Sequence, residues 1–194
     1  PVVPSTVSLE MRATVAEIPL PYTQGCVNCI YDPSSLAKIL SYLTKSKSLK
    51  ESMVVTISNS GEGTSADSII DNDERTFWLS DRQLWFKAGY PTVEISLKNK
   101  EEIEGLILTS ISGTRKPKEL RVHRNGDLIE FDVQTIDEKR SLVLFKNTRI
   151  IERVAFTIHS TYGSDSPGIA EIDVIPKGFG DIDVKMVDRL ENFP

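Results

Sequence analysis

Apolar and polar residues alternate with a period of two near the start of the chain. Val7, Leu9, Met11, Ala13 and Val15 fall on one side, and Ser8, Glu10, Arg12 and Thr14 on the other. That pattern predicts a half-buried strand over 6–18, ended by Pro19 and Pro21. Residues 19–31 read as loop. Asp32-Pro33 then supplies a helix cap followed by proline at the first helical position. Leu36, Ile39, Leu40 and Leu43 recur at helical spacing, which predicts an amphipathic helix over 33–45 with a face rich in Lys and Ser. From Met53 onward short apolar runs dominate, at 54–57, 93–97, 105–109, 120–123, 128–133, 141–145, 154–158 and 170–175. Asn125-Gly126-Asp127 is the clearest hairpin turn between them. Short strands, turns and few helices predict an antiparallel sandwich or barrel. In the tail, 177–194, Gly178 and Gly180 precede an alternation of Ile182, Val184 and Met186. It suggests one more strand, placed to pair with 6–18 because chain ends often meet.

Composition adds bounds. The chain has 194 residues, 39% apolar and 26% charged, which fits one domain with additions and argues against long disorder. A net charge of -5 gives no global field toward nucleic acid. No apolar run reaches bilayer length, so no membrane span is expected. The first residue is Pro1 rather than Met and no signal-peptide pattern is visible, which reads as a fragment or processed product and leaves localisation open. Cys26 and Cys29 are the only cysteines. One Cys-x-x-Cys is half of a zinc site, but His123 and His159, the only histidines, lie in strand-like segments. Two loop thiols, or a short-range disulfide, is the plainer reading.

The stretch Ser68-Ile-Ile-Asp-Asn-Asp-Glu-Arg-Thr-Phe-Trp-Leu-Ser80 carries the sharpest chemistry. Asp71 and Asp73 sit two apart, Thr76 follows, and Phe77 and Trp78 lead back toward a core. A short loop with oxygen donors at that spacing can wrap a hard cation, although it lacks the Gly and distal Glu of an EF-hand. The same carboxylates can instead cap the turn through side-chain hydrogen bonds, with Glu171 paired to Arg75.

This stretch resembles the opening motif of the discoidin family (coagulation factor V/VIII type C domains and related galactose-binding modules), in which an Ala-Ile-Asp-Gly-Asp-x-x-Thr-x-Trp run precedes the first core strands. Trp85 with Pro91–Leu97, Ile103–Leu108, Glu119–Asp127, Ile151–Ile158 and Tyr162–Val174 resemble later family segments in order and spacing, over about residues 60–175. Asn72 stands where the family has Gly, and Asn tolerates positive φ. The resemblance implies a jelly-roll β-sandwich of galactose-binding type over 53–176, with 1–52 as a strand, loop and helix extension and 177–194 as a tail. It further implies a structural Ca2+ held by Asp71, Asp73, Thr76 and Glu171 with carbonyls of Ser68 and Ala170. By the same likeness, ligands are gripped by loops at one end of the sandwich, here 79–91, 111–118 and 160–168. Those loops offer Trp85, Phe86 and Tyr90, then Arg115 and Lys116, then Tyr162 as candidates. An aromatic face beside an Arg suits a sugar; for Trp85 and Phe86 a place in the core is the competing role.

No Gly-x-Ser-x-Gly or His-Glu-x-x-His motif occurs, and no Gly-rich phosphate loop precedes a helix. The expectation is a non-catalytic recognition module for a glycan. A protein–protein interaction or assembly domain, homo- or heteromeric, is the alternative on the same scaffold. An extracellular or surface-exposed setting suits such a module, while the lack of an Asn-x-Ser/Thr site speaks against a secreted eukaryotic glycan reader.

Overall fold

A computed structural model describes residues 33–82, 89–146, 150–164 and 166–191. The strand expected at 6–18, the cysteine loop, Trp85 and Phe86 lie outside the described residues. The chain divides into two units, 1–36 and 37–194, and the described strands lie in the second. Its elements are helix α1 (Pro33–Glu51), β1 (Met53–Ile57), β2 (Trp78–Leu79), β3 (Thr92–Ser110), β4 (Pro117–Arg124), β5 (Asp127–Leu128), β6 (Phe131–Thr135), β7 (Arg140–Phe145), β8 (Ile150–Thr161), β9 (Gly168–Pro176) and helix α2 (Val184–Glu191).

All the strand pairs are antiparallel. One sheet runs β1-β3-β8-β4-β5 and the other β2-β9-β3-β7-β6. Strand β3 belongs to both. The segments 93–97 and 105–109, expected as two strands, are its two halves. The polar run Lys98–Glu102 between them looks like a turn in sequence. It is an extended crossing, where the pairing with β8 shifts register between Ser96 and Glu101. Beyond it the strand is buried on both faces, because Leu106 and Leu108 face the sandwich interior while Ile107 faces a second core outside it. Conversely, the expected strand 128–133 is two strands. The Asn125-Gly126 turn has φ of 50° and 98°, the left-handed pair that a two-residue hairpin requires.

Between the sheets lie Val93, Ile95, Val122, Val154, Phe156, Ile158, Leu106, Leu108, Ile172 and Val174, all within 1% of full burial. Outside the second sheet, Ile107, Leu142 and Ile175 are covered by Ile39 and Tyr42 of α1 and by Ile182, Val184 and Val187 of the tail. The second unit is therefore layered as helices, sheet, sheet. Helix α1 runs past the expected end at residue 45 because its buried stripe continues with polar side chains. Ser46 donates to the Val174 carbonyl at 3.0 Å, Leu49 enters the main core and Lys50 is buried.

The tail forms a helix where a strand was expected. Ile182 and Val184 alternate, but Val184 and Val187 also fit one helical face, and Asp183 caps it by accepting from the Lys185 and Met186 amides at 3.0 and 3.2 Å. A three-residue apolar alternation carries too little period to outweigh a good cap.

Candidate functional site

Three groups of side chains stand out. The first is at the loop end of the sandwich. Loops 111–118 and 160–168 are tied together by Tyr162 N–H to the Lys116 carbonyl at 3.2 Å and Gly163 N–H to the Thr114 carbonyl at 3.0 Å. Arg115 is half-buried and donates to the Ser166 carbonyl at 2.9 Å. The Ser166 hydroxyl donates to the Ser80 carbonyl at 2.6 Å, which fixes the 79–82 segment against the same loop. The result is a recess of about 360 Å³ lined by polar groups, among them Glu62, Asp81, Arg82, Arg115, Ser164 and Ser166. Tyr162 precedes this wall and is 58% exposed, with the Lys116 ammonium 5.1 Å from its ring centroid. Tyr90, 49% exposed, packs on His159 with centroids 4.1 Å apart. Burial first, then the neighbouring Arg121 charge, lowers the His159 pKa, so the ring is held toward its neutral form.

Of the expected ligand residues, Arg115 lines the recess, Tyr162 lies two residues before Ser164 with its ring against Lys116, and Tyr90 packs on His159. Sequence reading missed Ser164, Ser166, Asp81 and Arg82, whose residue types are common in any loop. It also placed His159 only as a strand position.

The second group is the acidic loop. The Asp71 and Glu171 segments meet as expected, because β2 pairs with β9 through Trp78–Ile169 and Leu79–Gly168. Asn72 has φ of 64°, the left-handed value anticipated for it. Asp71 accepts from the Asp73 amide at 2.9 Å and the Thr76 hydroxyl at 2.6 Å. Burial pushes its pKa up, and these bonds, with a further one to the Glu171 carboxyl, pull it below its ordinary value overall. The Thr76 hydroxyl also lies 3.2 Å from the Ser68 carbonyl. The Asp73 carboxylate turns outward, chelated by Arg75 through Nε and Nη2, each at 2.7 Å, which lowers its pKa to about 2. Ala170 is buried in β9 beside Glu171.

Glu171 is paired with Lys50, whose ammonium lies 2.5 Å from Glu171 Oε2 and 2.8 Å from Asp173 Oδ1. The other oxygen, Oε1, accepts from the Asp73 amide at 3.1 Å, and the Asn72 amide also donates to this carboxylate. Burial pushes Glu171 up to about 7, against the pull of Lys50. Lys50 is raised too, since the two carboxylates outweigh the burial that disfavours its charge.

A calcium ion takes about six to eight oxygens, and the Thr76 hydroxyl lies within 3.2 Å of the Ser68 carbonyl, the Asp71 carboxylate and the Asp73 carbonyl, so oxygen donors gather at this turn. The Asp73 carboxylate is committed to Arg75, while Glu171 meets the Asp71 carboxyl as well as the Lys50 ammonium and backbone N–H groups. Among the described residues no three His, Cys, Asp or Glu side chains converge as metal ligands.

The third group is a cleft of about 670 Å³ on the outer face of the second sheet, between α1 and α2. Its floor is a cross-strand row, Arg140, Thr109 and Glu171. Its Arg140, Asp188, Lys50, Glu171 and Asp173 side chains are ion-paired. Arg140 bonds Asp188 through both nitrogens at 2.7 Å and Asp137 at 2.6 Å, and Lys50 holds Glu171 and Asp173.

The two-sheet arrangement with a shared strand and loops gathered at one end has counterparts among solved structures. The sandwich has the fold of family 32 carbohydrate-binding modules. One such module, from C. perfringens NanJ in complex with galactose, matches with a TM-score of 0.54 at 19% identity, over 65% of this chain and 95% of the module. CpGH89CBM32-5 from Clostridium perfringens, in complex with GalNAc-beta-1,3-galactose, matches at 0.51 and 18% identity, over 66% and 97%. A pectin-binding carbohydrate-binding module matches at 0.52 and 17% identity, over 64% and 91%. At such identities the likeness is one of fold, and it meets the all-β, galactose-binding-like expectation. No protein-family model and no curated protein matches the chain.

Proposed function

We propose that this chain is a non-catalytic carbohydrate-recognition module of discoidin type that grips a glycan at the loop end of its sandwich. One observation carries the reading: the recess where Arg115, Ser164, Ser166, Asp81 and Arg82 converge, on the loop pair that also carries the exposed Tyr162. Sugars present hydroxyls that need donors and acceptors together, and a C–H face that packs on an aromatic. The galactose, GalNAc-galactose and pectin ligands named for the neighbouring folds make galacto-configured glycans the first to try.

The test is calorimetric titration with galactose, N-acetylgalactosamine and pectin oligomers, beside a glycan array. Arg115→Ala and Tyr162→Ala are expected to weaken binding roughly tenfold or more, about 1.4 kcal/mol each, with unchanged circular dichroism. No binding to any glycan defeats the reading.

A second reading is favoured by a separate feature. Val54, Leu128 and Val133 are 53%, 66% and 46% exposed on β1, β5 and β6, which lie at the margins of the described sheets. Exposed apolar margins suit strand-to-strand association, so a protein-interaction or assembly role predicts self-association in light scattering.

A further inference from the structure

Two neighbouring cations at the loop end of the sandwich, Arg115 and Lys116, are sheltered from water yet met only by neutral groups among the described residues. Resting on the glycan reading of this recess, we infer that the sugar it takes is acidic: a uronate residue whose carboxylate meets the Arg115 guanidinium and whose hydroxyls meet Glu62 and Asp81.

Other sheltered cations of this unit are answered by carboxylates. Lys50 faces Glu171 and Asp173, and Arg140 faces Asp137 and Asp188. Arg115 and Lys116 differ. Arg115 is half-buried and lines the recess, and its Nη1 donates to the Ser166 carbonyl at 2.9 Å. Lys116 is 6% exposed. Its ammonium donates to the Asp137 carbonyl at 3.1 Å and lies 5.1 Å from the centroid of the Tyr162 ring. The Asp137 carboxylate itself is held by Arg140. Among the described residues neither cation has a carboxylate partner. The low exposure that makes such a charge costly also strengthens its attraction for an incoming anion.

The guanidinium favours a planar anion. With Nη1 committed to Ser166, Nε and Nη2 have no partner among the described residues. Those two donors share one edge and match the two oxygens of a carboxylate. Arg75 uses the same edge on Asp73, at 2.7 Å through each nitrogen. The other lining segments, 61–62 and 79–82, contribute Glu62 and Asp81 alongside Arg82. Carboxylates accept hydrogen bonds from hydroxyls and repel a second anion. They therefore orient the ligand, with its hydroxyls on their side and its own carboxylate at Arg115. A uronic acid carries both kinds of group on one ring. The recess, about 360 Å³, is at the small end of ligand pockets, which suits a single ring. The chain carries a net charge of -5, so the attraction is local to this recess and not a general affinity for polyanions.

The test is titration of the full chain with oligogalacturonate, its neutral methyl ester and a sulfated galactan oligomer of matched length, at low and at high NaCl. The wild type is expected to bind the acid roughly tenfold or more tighter than the ester at low salt, with the ratio shrinking as salt rises. Arg115→Gln keeps a donor for the Ser166 carbonyl but no charge, and is expected to bring acid and ester within about twofold of each other. Arg115→Lys keeps the charge but not the paired donors, and is expected to retain only part of the preference. Equal binding of acid and ester by the wild type overturns the inference, since the guanidinium is then neutralised within the chain, and leaves the glycan reading standing. Tighter binding of the sulfated oligomer, or equally tight binding of polyglutamate, overturns it as well, because the site then answers to charge and not to a uronate. Failure to bind any of the oligomers or any neutral glycan defeats the glycan reading and the inference with it. If Arg115→Gln cannot be recovered folded, the acid-to-ester ratio of the wild type decides alone.

Discussion

Trp78 buries an apolar ring and a polar handle together. It is fully buried, and its indole N–H donates to the Asn59 carbonyl at 2.7 Å. Trp78→Ala is expected to cost about 3–5 kcal/mol in urea unfolding. Trp78→Phe restores much of the packing but leaves that carbonyl unpaired, so a residual loss of about 1–3 kcal/mol is expected. Asn72 makes the converse case, where backbone conformation decides. At φ of 64° a β-carbon is tolerated only with strain. Asn72→Ala is expected to lower stability by about 1 kcal/mol, and Asn72→Gly to be near neutral. The sequence motif had already placed a tolerant residue at that turn. The pairing of Lys50 was not readable, because a lysine on a Lys- and Ser-rich helix face looks like any solvated charge.

At the scale of elements, β3 and α2 are decisive. Gly105 sits on β3 beyond the crossing, and a β-carbon there would collide with the Val143 carbonyl of β7. Gly105→Ala is therefore expected to destabilise strongly, seen as a lowered melting temperature, by forcing β3 and β7 apart. Helix α2 is held by Val184 and Val187 and by the pair between Asp188 and Arg140, whose other partner is Asp137. Burial pushes Asp137 up, but Arg140 and the backbone amides of residues 139 and 140 bring its pKa below the ordinary 3.8. Its folded value is thus below its unfolded one. The stabilisation is present above pH 3.8 and is lost as pH falls through the lower folded value. Asp137→Asn is expected to lower stability at neutral pH and to flatten that part of the acid unfolding curve, followed by circular dichroism. The strand expected in the tail shows how weak a short alternation is beside a helix cap.

At the largest scale, in the unit spanning 37–194, the layering of two helices on one face of a sandwich sets which parts open last. Strand β3 is hydrogen-bonded to β1, β8, β7 and β9 along its length. Amide exchange is therefore expected to be slowest at Val93 to Leu97 and Leu106 to Leu108, and faster in β5 and β6 at the margins. Faster exchange in β3 than in β6 would contradict this layering.

The sequence by itself determined the elements that depend on neighbours in the chain. The β-rich pattern, the Asn125-Gly126 hairpin and the left-handed Asn72 follow from local period and turn chemistry, while the meeting of the acidic loop with the Ala-Glu strand was implied only by the resemblance to the discoidin pattern. Tertiary structure decided what depends on distant residues. It joined two strand-like runs into one β3 and made the outer sheet face a second core. It also gathered Arg115, Ser164 and Asp81 at one recess and brought Lys50 to Glu171 across 121 positions. Those outcomes follow from burial and charge pairing between segments far apart in sequence, and no local pattern of hydrophobic and polar residues encodes them.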